Sequence, residues 1–178
     1  LWLAIHFPNL ALEVFTSPQR KIQNPCPIVV IQRNKIVAIN SVAAKAGVLP
    51  NTSLVTAKSI TNELQYFKKD LSKEITELAN LSEPLHQFSS MISIAESDCL
   101  LIEVGKSLKL FTTEELFVKI HHLYLELGYT TQIRFSQSVL EAIYEFSITA
   151  SRVNLNFNAF VGRSAAMFND VYFQESKI

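Results

Sequence analysis

Apolar positions along the chain recur at two periods, and the switches between them predict its elements. Leu1 to Phe7 (LWLAIHF) is short, apolar and aromatic, which fits a buried strand. Pro8 and Asn9 then open a short helix in which Leu10, Ala11, Val14 and Phe15 fall at helical spacing. A Pro- and Asn-rich connector runs from Ser17 to Pro27. Ile28 to Ile31 and Ile36 to Ile39 flank Gln32-Arg-Asn-Lys35, the pattern of a hairpin. Ser41 to Ala46 reads as a small-residue helix stopped by a left-handed Gly47. Pro50 and Asn51 make a turn, and Thr52 or Ser53 caps a further helix to about Ile60.

The second half is more regular. Leu64 to Phe67 is a brief strand, and Asp70 caps a helix with Leu71, Ile75, Leu78 and Ala79 on one face. Phe88 to Ile94 and Cys99 to Val104 read as strands joined by a polar turn at Glu96-Ser97-Asp98. Thr113 is expected to cap the clearest helix, with Leu116, Phe117, Ile120, Leu123, Tyr124 and Leu127 as its stripe and Gly128 as its stop. Thr131 to Phe135 is a strand and Ser138 to Ile148 a final helix. With a small α/β insertion removed, the order is βαββαβ. The fold class is therefore α+β, a split ferredoxin-like sheet. The expected segments are 1–17, 18–62 for the insertion, 63–148, and an unassigned tail at 149–178. Such a layout hosts many functions, so it decides none.

Composition narrows the field. The 178 residues hold 16 basic and 16 acidic side chains, a formal net charge of zero, with 48% hydrophobic and 18% charged residues. That is too apolar and too balanced for a disordered tail, and long enough to bury one sizeable core. Neutrality also removes the simplest argument for nucleic-acid binding, a basic domain. Cys26 and Cys99 belong to no CxxC or Cys/His pair, so neither a zinc set nor a disulfide framework is indicated, and a reducing cytoplasm is expected. No stretch reaches the ~20 apolar residues of a membrane span, and the opening residues lack the basic leader of a signal peptide. A chain that opens on Leu1 rather than Met is expected to be a segment of a longer one.

Three stretches carry a resemblance. Leu1 to Glu13 (LWLAIHFPNLALE) is the first. Ala43 to Leu54 (AAKAGVLPNTSL), followed by Ala57, is the second. The third is Phe88 to Ile94 with Cys99 to Phe111 (CLLIEVGKSLKLF). In order and spacing they resemble the Y-family (UmuC/DinB-type) translesion DNA polymerases over about residues 1–147. Leu101-Ile-Glu-Val-Gly with Ser107-Leu-Lys-Leu-Phe is similar to the ImuB branch, polymerase-like proteins of bacterial mutagenesis cassettes. The resemblance makes residues 1–17 and 63–148 palm-like and 18–62 fingers-like.

What the resemblance implies about chemistry is a loss. Active members open with Asp-x-Asp-x-Phe, whose first Asp joins a later Asp-Glu pair to hold two Mg²⁺ ions, which neutralise charge developing during phosphoryl transfer. Counted back from Ala11, the two aspartate positions fall on Ile5 and Phe7; counted from Ser93-Ile94, the Asp-Glu pair falls on Ala95 and Glu96. The fingers Tyr and Arg that grip a triphosphate fall on Ser41 and Ala44, and the ring that excludes a ribose 2′-hydroxyl falls on Leu10. The expectation is a pseudo-polymerase with no catalytic residue, no metal and no cofactor. Its partners by resemblance are an ImuA-type protein, an error-prone replicative-type polymerase and the sliding clamp, the last through a region outside this segment. Weak, salt-sensitive DNA contact and no membrane are expected, in a bacterial, nucleoid-associated cytoplasmic setting.

Two rivals make distinct demands. An active but divergent polymerase would use Glu96, Asp98 and Glu103 as substitute ligands. An unrelated ferredoxin-like regulatory or dimerisation module would fold Ile28 to Ile60 into the main sheet. Other features are bland. Glu103 lies in an apolar strand, facing either core or solvent. His121 and His122 are adjacent on a helix and diverge. Ser89 and Ser93 have no catalytic partners in sequence. Four glycines make no phosphate-cradling loop. Lys68-Lys69 and Lys106-x-x-Lys109 read as solvated faces or DNA-backbone contacts.

Overall fold

The computed structural model describes residues 1–16, 26–61, 63–96 and 98–139. Most of the 17–27 connector, most of the Ser138 to Ile148 helix and the 149–178 tail lie outside them. Two compact units divide the chain, Leu1–Ile143 and Tyr144–Ile178, and all the described residues belong to the first.

Among the described residues, twelve strands and α-helices follow in order. They are β1 Trp2–His6, α1 Leu10–Thr16, β2 Ile28–Gln32, β3 Lys35–Ile39, α2 Ser41–Lys45, α3 Leu54–Ile60, β4 Gln65–Lys68, α4 Leu71–Ser82, β5 Ile92–Glu96, β6 Cys99–Glu103, α5 Thr113–Glu126 and β7 Gln132–Ser136. One sheet is four-stranded and antiparallel in the order β5-β6-β1-β7. That is the ferredoxin-like βαββαβ order, so the α+β class is as the sequence predicts. The other sheet, β3-β2-β4, is three-stranded, with β2 antiparallel to β3 and parallel to β4.

Alternation along β1 sends Leu3, Ile5 and Phe7 to one side, where they are fully buried with Leu78 and Leu81 of α4 and Leu116, Ile120 and Tyr124 of α5. Phe7 meets the Tyr124 ring edge-on at 5.0 Å, and the Tyr124 hydroxyl donates to the Leu81 carbonyl at 2.7 Å, which satisfies its polar end. Burial drives this phenol above its ordinary pKa. The central strand of the small sheet, β2, is buried on both sides. Val29, Ile31 and Ile36 pack with Ala43, Val48 and Ala57 beneath α2 and α3, while Ile28 and Val30 pack with Leu12 of α1. Continuous apolar runs such as Ile28-Val-Val-Ile31 suit a strand covered twice.

Local signals are honoured at most ends. Arg33 and Asn34 take positive φ (49° and 64°) in the two-residue hairpin turn. Gly47 and Gly128 stop their helices at φ 91° and 80°. Asp70 accepts the Lys73 amide as N-cap of α4, and Ser53 accepts the Thr56 amide as N-cap of α3.

Three expectations need correction. The cap of α5 is Thr112, not Thr113: its hydroxyl accepts the Glu115 amide at 3.2 Å while the Glu115 carboxylate accepts the Thr112 amide at 2.8 Å. Only Thr112 stands three residues before a Glu, as the reciprocal box requires. The strand expected from Phe88 starts at Ile92, because residues 83–87 form a 3-10 turn opened by Pro84, and the Phe88 carbonyl accepts the Ser107 hydroxyl. The strand at 65–68, placed after the insertion by the boundary at residue 62, pairs in parallel with β2 and completes the small sheet.

Candidate functional site

The end of β1 lies beside the turn between β5 and β6. Ile5 is in register with Leu100, which is in register with Ile94; His6 is in register with Cys99, which is in register with Glu96. A bulge between Ile94 and Glu96 falls at Ala95. The Phe7 amide donates to the Asp98 carbonyl at 2.8 Å, closing the corner. The strand register thus sets Ile5 and Phe7 at the same end of the sheet as Ala95 and Glu96, with β6 between them.

Their orientation is a separate matter. Ile5 and Phe7 both point into the helix-covered core, at 0% exposure. On the opposite side of β1 the corner residue is His6, whose Nε2 lies 3.3 Å from an Asp98 carboxylate oxygen. On α4, Glu74 is buried, with one carboxylate oxygen 3.6 Å from the Lys69 ammonium and the other without a hydrogen-bond partner among the described residues. Its pKa is raised chiefly by burial, against the attraction of Lys69; the negative charges of Asp98 and Asp70 raise it further.

The remaining predicted positions scatter. Leu10 is buried in α1 among the same core side chains. Ser41 and Ala44 lie three residues apart on the exposed side of α2, while Ala43 between them is buried. Neither supplies a cation or an aromatic ring. The substitute set of Glu96, Asp98 and Glu103 is not assembled. Glu103 pairs with Trp2 at the other end of β6, about 13 Å of strand from Cys99. Its Oε1 accepts the Gly105 amide at 2.8 Å, a turn-closing role. His121 stacks on Phe117 with its Nδ1 3.3 Å from the Thr131 hydroxyl. Among the described residues, no three His, Cys, Asp or Glu side chains are grouped to hold a metal ion.

Sequence reasoning missed several polar anchors. Asn40 caps α2 and clamps the start of β2: its Oδ1 accepts the Ala43 and Ile28 amides and its Nδ2 donates to the Cys26 carbonyl. Buried Glu13 accepts the Thr130 amide at 3.0 Å and hydroxyl at 2.7 Å, tying α1 to the loop before β7. Its pKa is raised by burial, against the pull of those two bonds. The available signal was each Glu's place in an apolar stripe: Glu13 beside Leu12 and Val14, Glu74 four residues before Leu78.

The family profile described as IMS, impB/mucB/samB, matches residues 12–151. The chain belongs to the impB/mucB/samB family. It is therefore a Y-family polymerase-type domain. Among curated proteins, none matches. Solved structures do. A Dbh ternary complex is 20% identical, with 78% of this chain and 42% of that one covered at a TM-score of 0.57. The post-insertion binary complex of Dbh DNA polymerase is 20% identical, covering 74% and 40% at 0.58. DinB from Sulfolobus solfataricus is 18% identical, covering 77% and 42% at 0.53. At such identity the likeness is one of fold, that of a Y-family palm and fingers. The IMS-family domain spans about two-fifths of the length of these polymerases. Membership sets aside the unrelated regulatory module, as does the separate small sheet. No helix among the described residues is long and apolar enough to cross a membrane.

Proposed function

We propose that this IMS-family chain is the palm-and-fingers part of a catalytically degenerate, ImuB-like adaptor in damage-induced translesion synthesis. In this reading it bridges a sliding clamp, an ImuA-type protein and an error-prone replicative-type polymerase in the bacterial cytoplasm, and that polymerase supplies the chemistry. The clamp contact lies outside this segment.

One observation carries the reading. At the corner where family members cage two Mg²⁺ ions, Ile5 and Phe7 are apolar and wholly buried, and Ala95 offers a methyl group. Mg²⁺ requires hard oxygen ligands in near-octahedral array. Of the four counted positions, Glu96 alone is a carboxylate, so the residues do not fit the ion pair. The fingers positions Ser41 and Ala44 carry no charge to hold a triphosphate.

Primer extension with Mg²⁺ and with Mn²⁺ tests it. The expected result is no template-dependent incorporation. Incorporation that disappears in Glu96→Ala would overturn the reading, because it would show a working carboxylate at this corner.

A further inference from the structure

Formal neutrality conceals a separation of charge. Residues 26–69, which hold the small sheet with α2 and α3, carry Arg33, Lys35, Lys45, Lys58, Lys68 and Lys69 against Glu63, a net charge of +5. Residues 1–16 and 70–139 carry eleven acidic side chains against five basic ones, a net charge of −6. The family's charge-neutral segment is thus a basic lobe joined to an acidic one.

Because the central strand of the small sheet, β2, is covered on both faces, what the sheet offers to a partner is an edge. Its two edges differ. Along β3, Lys35 bridges to Ser53, and the Ile36 amide and carbonyl are engaged by Thr52 and Asn51. Along β4 no further strand is present among the described residues. The Gln65 and Lys69 amides donate inward, to Pro27 and Ile31, each at 2.9 Å. By the alternation of a parallel ladder, the Tyr66 and Lys68 amides point away from β2. Tyr66 is 44% exposed, and Lys58 holds its ammonium 4.7 Å above the ring.

We infer that the outer edge of β4 docks an extended acidic segment of a partner protein, which adds a strand to the small sheet and sets its carboxylates against Lys58 and Lys68. Main-chain bonds to the edge supply affinity in such addition, and the flanking side chains supply selection. Charge complementarity singles out the occupant. A second copy of β4 would bring lysines against lysines. Single-stranded DNA has no peptide groups to continue the ladder, and one face of Tyr66 is already covered by an ammonium. The inference stands whether or not the chain polymerises nucleotides.

The test uses the 178-residue chain and three probes: a synthetic peptide of alternating Glu and Val, the same peptide N-methylated at alternate amides, and oligothymidylate. Saturating acidic peptide should slow hydrogen exchange at the Tyr66 and Lys68 amides by about tenfold or more. Lys58→Glu/Lys68→Glu should weaken that peptide by about tenfold, and the control Lys106→Glu/Lys109→Glu, on the acidic lobe, by less than about twofold. The N-methylated peptide should bind no better than background. Equal binding by the N-methylated peptide would overturn strand addition. Protection of the same amides by oligothymidylate but not by peptide would make the edge a phosphate surface. Sedimentation showing β4-dependent dimers would assign the edge to a second copy. Binding of no probe would leave the lysines as guards against edge-to-edge aggregation, and the inference would fail.

Discussion

The two sheets of this molecule solve the same burial problem in opposite ways. The four-stranded sheet concentrates Leu3, Ile5, Phe7, Leu100 and Ile102 beneath α4 and α5, and α1 and α4, which pack into the same core, carry the buried carboxyl groups Glu13 and Glu74. The three-stranded sheet is packed against α1 on one side and α2 and α3 on the other, and among the described residues of 26–69 no charged side chain is buried. The larger layer therefore carries a pH dependence, its buried carboxyls favouring the fold at low pH and losing that contribution as pH rises. The smaller one presents its cations at the rim, where salt screens them. A palm-like layer with titratable groups inside it and a fingers-like layer with charges outside respond to different solution conditions.

The largest effect expected concerns which side of β1 belongs to the core. Ile5→Asp removes a fully buried side chain and sets a carboxyl beneath two helices, so it should cost about 4 kcal/mol or more. His6→Asp, at the same end but on the other side, loses the contact with Asp98 and adds a like charge, and should cost about 1–2 kcal/mol. Urea unfolding of the pair measures both. Comparable costs would mean that β1 does not divide its two faces as described.

Next in size is the double cover of the small sheet. Val30 points toward α1 and Ile31 toward α2 and α3, both buried. Truncating either to Ala should cost about 2 kcal/mol or more, from lost transfer energy and the cavity left behind. If Val30→Ala costs less than about 0.5 kcal/mol while Ile31→Ala stays costly, the α1 side is not a true core and the contrast between the sheets collapses.

Much of this arrangement was legible in the sequence, for local reasons. The Arg33-Asn34 turn, the caps at Ser53 and Asp70 and the stops at Gly47 and Gly128 are each dictated within a few residues, and each sits where the pattern placed it. The register also sets Ile5 and Ala95 at one end of the larger sheet, two strands apart. What was not legible depends on long-range register. No local signal says that residues 65–68 pair in parallel with β2 rather than join the larger sheet. Nor does counting from Ala11 say that Ile5 and Phe7 face the helices while His6 faces away. The overall charge likewise hid the contrast between lobes, because a sum carries no position.

The smallest effect is the most specific to the larger layer. Glu13 has its pKa raised by burial, so the folded chain holds that proton more tightly than the unfolded chain does. Its contribution to stability is then greatest below the ordinary carboxylate range and is lost as pH rises through the raised value. Glu74 has the same sign, moderated by Lys69. Glu13→Gln keeps an oxygen for the Thr130 amide and hydroxyl and removes the charge. It should stabilise the chain by about 1 kcal/mol at neutral pH, and the gain should shrink toward zero at about pH 4, where the wild-type carboxyl is already protonated. Denaturation midpoints at the two pH values measure the difference. An equal loss of stability at both would mean that the bonds from Thr130 outweigh the cost of burying the charge; Glu13 would then be a fixed strut between α1 and β7 rather than a source of pH dependence.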